Sequence, residues 1–426
     1  MDAEKSLALL SSEGCRELFV KLYGRENEAK QRYENLIRGF QREFKEGEIM
    51  LFSSPGRTEI SGNHTDHNHG KILGASINLD CIAAAAKNNT NKIRIVSEGY
   101  RSFCIDLDHL ESGAEKSGVI ELVKGLAEGL MRRGFLLGGF DAYISSNVIP
   151  SAGVSSSAAF ETLLCQIINT FFNEDKVEKL AYAHIGKYAE NIYWNKASGL
   201  LDQMCCAVGG MITIDFKNPE NPKVQKLDFD FVNSGYDLII VQTGRGHADL
   251  SEDYSAIPNE MKKVAKFFGK AVLAELDKAT LLSKLSQVRK ETGDRAVMRA
   301  IHFFDENERV DQAVAALEKG DFDSFLKKIE ESGNSSWKYL QNCYTNSSYE
   351  EQGISISLAL TEDFIRRKGQ GACRVHGGGF AGVIMAMLPE ELSDEYIAYI
   401  EEHTGKGNAY KMSIRPYGSI CLNHFL

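Results

Sequence analysis

The chain has 426 residues, 49 of them basic and 59 acidic, and its net charge of -10 argues against non-specific binding to nucleic acid or an anionic membrane. A chain of this length can bury a large core in about two or three domains, and no apolar run in it is long enough to span a bilayer. The nine cysteines form no CxxC pair and the N-terminus lacks a secretory leader, so we predict a soluble cytoplasmic protein with reduced thiols.

The first half of the chain alternates between predicted helices and strands. Apolar residues recur at helical spacing across residues 15–46, and this helical segment, Glu13 to Lys45, could be an interface or a lid on the core. A short strand over residues 49–52 is expected to end in a turn at Pro55-Gly56. Further strands are predicted near residues 93–96, 103–107, 140–144 and 211–216, and helices over 119–133, 157–172 and 177–194.

A polar stretch with two prolines, Lys217 to Lys226, predicts a domain boundary. It divides the chain into an N-terminal domain of residues 1–226 and a C-terminal domain of residues 227–426. The second half is predicted to contain buried strands at 238–241 and 383–388 and helices over roughly 257–332 and 350–368. This mixture indicates two α+β domains, with a small-molecule site between them.

The most informative motif is a serine-rich loop that leads into a helix. Pro150 and Gly153 bend the backbone, and Ser155-Ser156-Ser157 then precede an apolar run that begins at Ala158. Small side chains let backbone N–H groups close around phosphate oxygens, and a helix N-terminus adds partial positive charge. The loop therefore predicts a phosphate site, although an ordinary serine-capped helix has the same composition.

Two further segments carry polar groups or glycines in unusual density. Residues 54–70 hold a guanidinium, a carboxylate, amides and imidazoles, which suit sugar hydroxyls because each hydroxyl both donates and accepts. The spacing of His64, His67 and His69 also permits a metal site, but the helical frame of a zinc motif is missing. The glycines of residues 374–382 allow close backbone approach to a ligand or a neighbouring loop, and are equally typical of a plain turn.

Taken in this order, the three motifs resemble those of the GHMP kinase superfamily, and more closely those of the galactokinases. The family's sugar motif, GRxNxIGEHTDYNxG, is matched at Gly56, Arg57, Gly62, His64, Thr65, Asp66, Asn68 and Gly70. Residues 150–159 are similar to its PxGxGLSSSAA phosphate loop, and residues 377–382 to its GxGFGG element. Residues 199–203 resemble its GIMDQ segment and residues 251–254 its SEYN segment, so the resemblance runs from about residue 45 to the C-terminus.

The resemblance implies both a fold and an activity. The implied fold is the two-domain α+β GHMP kinase fold, with an N-terminal domain like ribosomal protein S5, a C-terminal ferredoxin-like domain and the active site in the cleft between them. The implied reaction is transfer of phosphate from ATP, with Mg²⁺, to the anomeric hydroxyl of D-galactose, giving α-D-galactose 1-phosphate. The implied partners are the sugar and ATP, without nucleic acid or membrane, and we expect a monomer or weak homodimer.

The resemblance also assigns roles to single residues. Asp202 aligns with the family's catalytic aspartate and Arg57 with the arginine that pairs with it, although by its position alone Asp202 could be a helix cap. The implied nucleotide-binding residues are Gly153, Val154, Ser155, Ser156, Ser157 and Ala158, and the implied metal ligands are Ser156 and Glu190. The implied sugar-binding residues are Arg57, Asn63, His64, Asp66, Gly199, Asp202 and Tyr254. Glu190 could equally be a solvated helix residue, and His64 could serve only to staple its loop.

Four departures from the family pattern leave the substrate open. Glu59 and Asn63 stand where the family has Asn and Glu, His67 replaces a tyrosine, and Ala381 replaces a glycine. The family's glutamate accepts a hydrogen bond from a hydroxyl at the C6 side of the sugar, whereas an amide at position 63 would tolerate a carboxylate there.

The sequence is therefore compatible with three functions. A galacturonate 1-kinase, or a kinase of another galactose modified at C6 or C2, is the first alternative, and Arg245 could approach a uronate carboxylate. If Glu59 and Asn63 have merely exchanged places, galactose is retained as the substrate, which we favour. A galactose- and ATP-binding sensor without catalysis is the second alternative, but the intact serine loop and Asp202 favour an enzyme.

Overall fold

The structure is a computed structural model, and it describes residues 3–45, 47–113, 118–149, 152–196, 198–244, 250–346 and 349–425. The strands are β1 Met50–Ser61, β2 Lys71–Lys87, β3 Lys92–Ser97, β4 Phe103–Asp106, β5 Phe140–Ser146, β6 Met211–Asp215, β7 Lys223–Lys226, β8 Tyr236–Gln242, β9 Ala372–His376, β10 Val383–Pro389, β11 Ala409–Met412 and β12 Ile420–Cys421.

The helices are α1 Ala3–Leu9, α2 Glu13–Tyr23, α3 Glu26–Phe44, α4 Gly118–Arg132, α5 Ser156–Phe172, α6 Lys179–Tyr188, α7 Leu201–Val208, α8 Ser251–Phe267, α9 Lys278–Ser283, α10 Leu285–Thr292, α11 Asp294–Glu318, α12 Phe322–Ser335, α13 Gly353–Lys368 and α14 Glu390–Thr404. Among the described residues, none of the helices is both long enough and apolar enough to cross a bilayer.

The strands form two sheets, as expected for an α+β protein. The larger sheet has the order β12-β1-β2-β5-β3-β4, and β6 and β7 extend it from β2. The smaller sheet has the order β11-β8-β10-β9 and is antiparallel throughout. The β3–β5 pair is parallel, whereas the other pairs of the larger sheet are antiparallel.

The centre of the larger sheet is the long antiparallel pair β1 and β2. The turn predicted at Pro55-Gly56 is wrong, because β1 continues through both residues as far as Ser61. The register shifts between Pro55 and Arg57, so the proline falls at a bulge, where the missing N–H is tolerated. A Cβ on Gly56 would lie 2.6 Å from the carbonyl oxygen of Val154, so only glycine allows β1 to pass this close to the loop before α5.

Both faces of the larger sheet are covered by helices. Phe52, Ala83 and Ala85 belong to the main core, on the face that carries α5. Their strand neighbours Leu51 and Ile82 point to the opposite face and pack with the N-terminal helices in a second core. The N-terminal segment is thus a cover for the sheet rather than a free extension.

The N-terminal segment is not the single helix predicted from Glu13 to Lys45. The chain turns at Gly24, where φ is 69°, so that α2 and α3 are separate helices. Their buried apolar residues, such as Phe19 and Phe40, fill the second core. The strand predicted over 49–52 is longer than expected and ends at Ser61. The other strands and helices predicted up to residue 216 lie within three residues of their expected bounds, except that helix 177–194 finishes in a π-turn, Ala189–Tyr193.

The domain boundary at residues 226 and 227 stays a prediction. The chain leaves the larger sheet after β7 and enters the smaller sheet at β8. The last strand, β12, returns to pair with β1, and the main core includes residues of both sheets, for example Phe52 and Ile240. The two sheets are therefore joined by a continuous apolar core and by the C-terminal segment.

Candidate active site

The predicted sugar-binding residues other than Tyr254 line a cavity of about 370 Å³ between β1, the start of α7 and the glycine loop that follows β9. Its lining residues are Arg57, Glu59, Asn63, His64, Asp66, His67, Lys196, Ser198, Gly199, Leu201, Asp202, Gln203, Gly377 and Gly378. A larger groove of about 1040 Å³, lined by residues such as Phe44, Lys87 and Asp141, contains none of the predicted site residues.

An arginine and an aspartate form the charged centre of this cavity. Arg57 follows the bulge of β1, and Asp202 lies in the first turn of α7. Nε and Nη2 of Arg57 each lie 2.8 Å from Oδ1 of Asp202, and Oδ2 accepts a hydrogen bond from the Ser155 hydroxyl. The structure therefore brings the predicted pair into contact and adds a hydroxyl from the serine loop.

The electrostatics of this cluster keep the aspartate charged. Burial by itself would raise the pKa of Asp202, but the adjacent Arg57 guanidinium and the Ser155 hydroxyl outweigh it and hold that pKa below its usual value. The pKa of Arg57 is raised, because attraction to Asp202 exceeds the cost of burial. Asp202 is therefore an ionised hydrogen-bond acceptor at neutral pH.

The serine loop is tied directly to Arg57. The Arg57 guanidinium donates to the carbonyl of Gly153, and its backbone N–H donates to the carbonyl of Val154 over 3.0 Å. Ser155 adopts a left-handed conformation, with φ of 59°, which is costly for a serine and turns its hydroxyl to Asp202 instead of capping α5. The N–H groups of the first turn of α5 are thus left without a side-chain cap.

A second polar cluster lies beside the head of α5. The Glu190 carboxylate, carried on the π-turn, accepts hydrogen bonds from Lys196 at 2.5 Å, from Ser157 at 3.2 Å and from Gln203 at 3.2 Å. Gln203 also donates to the buried Glu161 carboxylate over 3.0 Å. Burial and the nearby negative charge of Glu190 raise the pKa of Glu161 well above its usual value, so Glu161 is a neutral acid.

Backbone carbonyls of the glycine loop, residues 377–382, hold the loop that contains Asn63 and His64 in place. Asn63 Nδ2, His64 Nε2 and the Tyr254 hydroxyl donate to the carbonyl oxygens of residues 377, 378 and 379, in that order, over 2.7, 2.9 and 2.8 Å. Because a carbonyl only accepts, Nε2 of His64 carries the proton. Burial lowers the pKa of His64 to about 4, so this imidazole is neutral.

Asn63 and Glu59, the two positions that depart from the family pattern, are bonded to each other. Asn63 Nδ2 donates to Oε1 of Glu59 over 2.8 Å, and the same oxygen accepts from the buried Arg374 over 3.0 Å. Asn342 donates to the amide oxygen of Asn63 over 2.8 Å, so the polar atoms of this amide are all engaged within the protein. Glu59, at the cavity wall, is therefore the polar group of this pair that is available to a ligand.

The loop histidines do not gather around a metal. Within the ranges that the structure covers, no three side chains of His, Cys, Asp or Glu meet as a metal-ligand set. Asp66 instead reaches the cavity beside Gly199, where a Cβ would lie 2.8 Å from Oδ2 of Asp66. Glycine at position 199 thus leaves room for this carboxylate.

Comparison with known proteins agrees with this geometry. Residues 38–87 match the galactokinase galactose-binding signature, and residues 121–210 match the GHMP kinase N-terminal domain. The chain is 26% identical over 383 residues to a galactokinase of Clostridium tetani, covering 88% of this chain and 93% of the relative. It is 28% identical over 383 residues to a galactokinase of Clostridium perfringens, covering 85% and 90%.

The chain is thus similar in sequence to galactokinases over most of its length, and part of it matches the GHMP kinase N-terminal domain. A galactokinase of Lactococcus lactis, solved with galactose, has the same fold, with a TM-score of 0.77 at 23% identity over 91% of this chain and 99% of that chain. A mevalonate kinase of Methanococcus jannaschii aligns with a TM-score of 0.59 at 15% identity, over 86% and 99%. The galactokinase resemblance and the GHMP kinase fold predicted from the sequence are confirmed.

The two regions of this chain that match the family models contain much of the candidate active site. The galactose-binding signature contains β1, the polar loop and β2, and the GHMP domain contains α5, the π-turn and α7. Tyr254, predicted to bind sugar, lies behind the glycine loop, where its ring packs on Phe380 with 5.4 Å between centroids. The hydroxyl that touches Glu190 belongs to Ser157 and not to the predicted Ser156.

Two residues named in the sequence analysis lie outside the described ranges, and two residues that line the cavity were not predicted. Pro150 and Arg245 lie outside the described ranges. Lys196 and Gln203 line the cavity but were missed. Gln203 follows Asp202 in the recognised GLLDQ segment and was available from it, whereas no motif distinguished Lys196.

Proposed function

We propose that this protein is an ATP-dependent galactose 1-kinase, which transfers the terminal phosphoryl group of ATP to the anomeric hydroxyl of D-galactose. The products are α-D-galactose 1-phosphate and ADP. One observation carries the proposal: Arg57 contacts both Asp202 in the cavity and the carbonyls of Gly153 and Val154 in the serine loop. A sugar in the cavity and a nucleotide on the loop would therefore meet at this arginine.

The chemistry required of Asp202 is modest. As an ionised acceptor, it would orient the anomeric hydroxyl for in-line attack on the terminal phosphorus. A sugar hydroxyl is far more basic than a carboxylate, so its proton passes to Asp202 late, as the new O–P bond forms and the bond to the ADP oxygen breaks. Arg57 holds the carboxylate in position and offsets the developing negative charge.

The head of α5 supplies the binding site for the nucleotide phosphates. Its first-turn N–H groups carry the partial positive charge of the helix N-terminus, and they lie directly after the loop that Arg57 fixes. The side chain of Ser155 serves Asp202, which leaves the backbone groups of residues 153–158 as the candidate phosphate contacts.

Magnesium fits the same place. One carboxylate, Glu190, with the hydroxyl of Ser156 or Ser157, is the small oxygen set that Mg²⁺ takes alongside phosphates and water. When bound, Mg²⁺ would neutralise charge on the nucleotide phosphates. All nine cysteines are unpaired, which supports the inferred cytoplasmic location. A monomer or weak homodimer remains a prediction.

The chemistry of the cavity favours a neutral hexose. Glu59 and Asp66 line the cavity, where their carboxyl oxygens suit hydroxyl donors, and the Asp66 carboxylate would repel a uronate. The relatives with which the chain aligns over most of its length are galactokinases.

The test is a panel of galactose, galacturonate and N-acetylgalactosamine, assayed with ATP and Mg²⁺ for coupled ADP release. We expect turnover of galactose, with galacturonate slower by a factor of about 100 or more, since like charges in a confined site cost several kcal/mol. Turnover of galacturonate with none of galactose would overturn the assignment. Sugar binding without ADP release would instead identify a sensor.

A further inference from the structure

Lys196 lies between the sugar cavity and the first turn of α5, which is proposed to bind the nucleotide phosphates. It follows the π-turn, and its Nζ lies 2.5 Å from Oε1 of Glu190 and 3.4 Å from the hydroxyl of Ser157 in the first turn of α5. The ammonium also lies over the Trp194 ring, 5.3 Å from its centroid. It is thus anchored beside the head of the helix proposed to bind phosphate.

The side chain is also open to the sugar cavity. Lys196 lines the cavity together with Asp202, and 48% of its side chain is exposed even though its ion-pair partner Glu190 is buried. The exposed side of the ammonium therefore lies at the cavity wall, which it shares with Asp202, beside the first turn of α5.

We propose that Lys196 contacts the terminal phosphoryl group of bound ATP while remaining anchored on Glu190. The inference rests on the proposed kinase function and adds a residue to its phosphoryl-transfer site. An ammonium has three donors, and Glu190 and Ser157 use two of them, which leaves one for a phosphate oxygen.

Lys196 would act on the charge of the phosphoryl group and not on its proton. During transfer the bond to the ADP oxygen breaks as the bond to the sugar oxygen forms, and negative charge spreads over the three equatorial oxygens. Lys196 donates a hydrogen bond to one of these oxygens and keeps its own proton throughout.

The plainer role for Lys196 is an ion pair that only holds Glu190. The two roles differ in their dependence on the terminal phosphate, which ATP has and ADP lacks. The experiment therefore measures ATP and ADP binding by calorimetry in EDTA and without sugar, for the wild type and for Lys196→Met. Lys176→Met is the matched control, since Lys176 lies 2.5 Å from Glu174 in an exposed pair far from any role proposed above.

We expect Lys196→Met to weaken ATP binding by a factor of about 10 or more, as for a lost charge-assisted hydrogen bond, and to change ADP binding less than about twofold. Lys176→Met should change neither affinity. Equal losses for ATP and ADP, or no loss for either, would overturn the proposal. Because sugar is absent, the result is independent of whether galactose proves to be the substrate.

A folding defect in Lys196→Met would not block the test. Removing the ammonium leaves the Glu190 carboxylate buried without its cation, so the double variant Lys196→Met/Glu190→Gln is compared with Glu190→Gln alone. We expect the double variant to discriminate ATP from ADP about tenfold less well than Glu190→Gln does. Identical discrimination by the two variants would again overturn the proposal.

Discussion

Two of the aspartate–arginine clusters beside the larger sheet, those of Asp80 and Asp202, share their chemistry and differ in access. Asp80, from β2, accepts hydrogen bonds from Arg32 at 3.0 Å, from Arg415 at 3.1 Å and from the Tyr23 hydroxyl at 2.6 Å. Its side chain is 0% exposed. This cluster joins the N-terminal helices and the C-terminal segment to the sheet.

The second cluster, Asp202 with Arg57 and Ser155, is bonded just as closely, but 35% of the Asp202 side chain is exposed to the cavity. In both clusters the cations outweigh the cost of burial and hold the pKa of the aspartate below its usual value. A depressed carboxyl pKa therefore does not identify the functional site. Access to a cavity, together with a contact to the serine loop, is what distinguishes the Asp202 cluster from the Asp80 cluster.

The largest expected effect comes from removing the charge of Asp202. Asp202→Asn keeps the shape but loses the acceptor for the hydroxyl proton, so kcat for galactose should fall by a factor of about 10³ or more. ATP affinity, measured by calorimetry, should stay within about threefold of the wild type. Retained turnover would show that Asp202, like Asp80, has only a structural role.

Changing Arg57 should affect both rate and pH dependence. Arg57→Met should lower kcat by a factor of about 10² to 10³, the range seen when one charge-stabilising donor is lost. Because Arg57 holds the pKa of Asp202 down, its removal should let that pKa rise. The acidic limb of the kcat/KM profile should therefore move to higher pH, and an unmoved limb would show that Arg57 does not tune Asp202.

The Asp80 cluster should respond in stability and not in chemistry. Asp80→Ala leaves Arg32 and Arg415 without their buried partner, so we expect the free energy of unfolding to fall by about 3–5 kcal/mol. Tyr23→Phe removes the hydroxyl that contacts both Asp80 and Tyr33 and should cost about 2 kcal/mol. Denaturant titration measures both, and kcat per folded molecule should remain that of the wild type.

The stability that Asp80 contributes has a defined pH dependence. Its folded-state pKa is below the unfolded value, so the contribution is fully present above the unfolded pKa and is lost as the pH falls through the folded pKa. The difference in unfolding free energy between wild type and Asp80→Ala should therefore shrink on acidification. A difference that stays constant down to low pH would contradict the assigned charge.

The smallest effect is expected at Glu161, the neutral acid beside Gln203. Its folded-state pKa is raised, so its contribution is present below the unfolded pKa and declines as the pH increases towards the folded pKa. Glu161→Gln imitates the neutral acid and should be more stable than the wild type by about 1 kcal/mol at pH 8, with kcat within threefold. We expect wild type and Glu161→Gln to be equally stable at pH 5 and to differ increasingly at higher pH. The pH dependence of the Glu161 contribution would then be opposite in direction to that of Asp80.

The Asp202 cluster was easier to predict from the sequence than the Asp80 cluster. Arg57, Ser155 and Asp202 lie in short motifs whose chemistry is visible residue by residue, and the fold brings them together. Asp80 was not noticed, because β2 itself was missed. Both faces of β2 are buried, so its sequence, KILGASINLDCIAAAAK, does not alternate between apolar and polar residues.

The remaining site details depend on contacts between distant segments. An exchange of Glu59 and Asn63 was one of the interpretations that the sequence left open. Their bond to each other and to Arg374 joins β1 to β9 across more than 300 residues of sequence. Lys196 belongs to no motif, and only its position beside Glu190 and Ser157 gives it a role. Sequence reasoning found most of the residues that share a motif, although not Gln203, and missed Lys196, whose role depends on its neighbours in space.

The most direct test of the account compares galactose-dependent ADP release by Asp202→Asn and Asp80→Asn in samples whose folded fraction is known from circular dichroism. If Asp202 is catalytic and Asp80 structural, Asp80→Asn turns over galactose at the wild-type rate per folded molecule. Asp202→Asn is then folded, binds ATP and releases almost no ADP. A folded Asp202→Asn variant with wild-type turnover would contradict it.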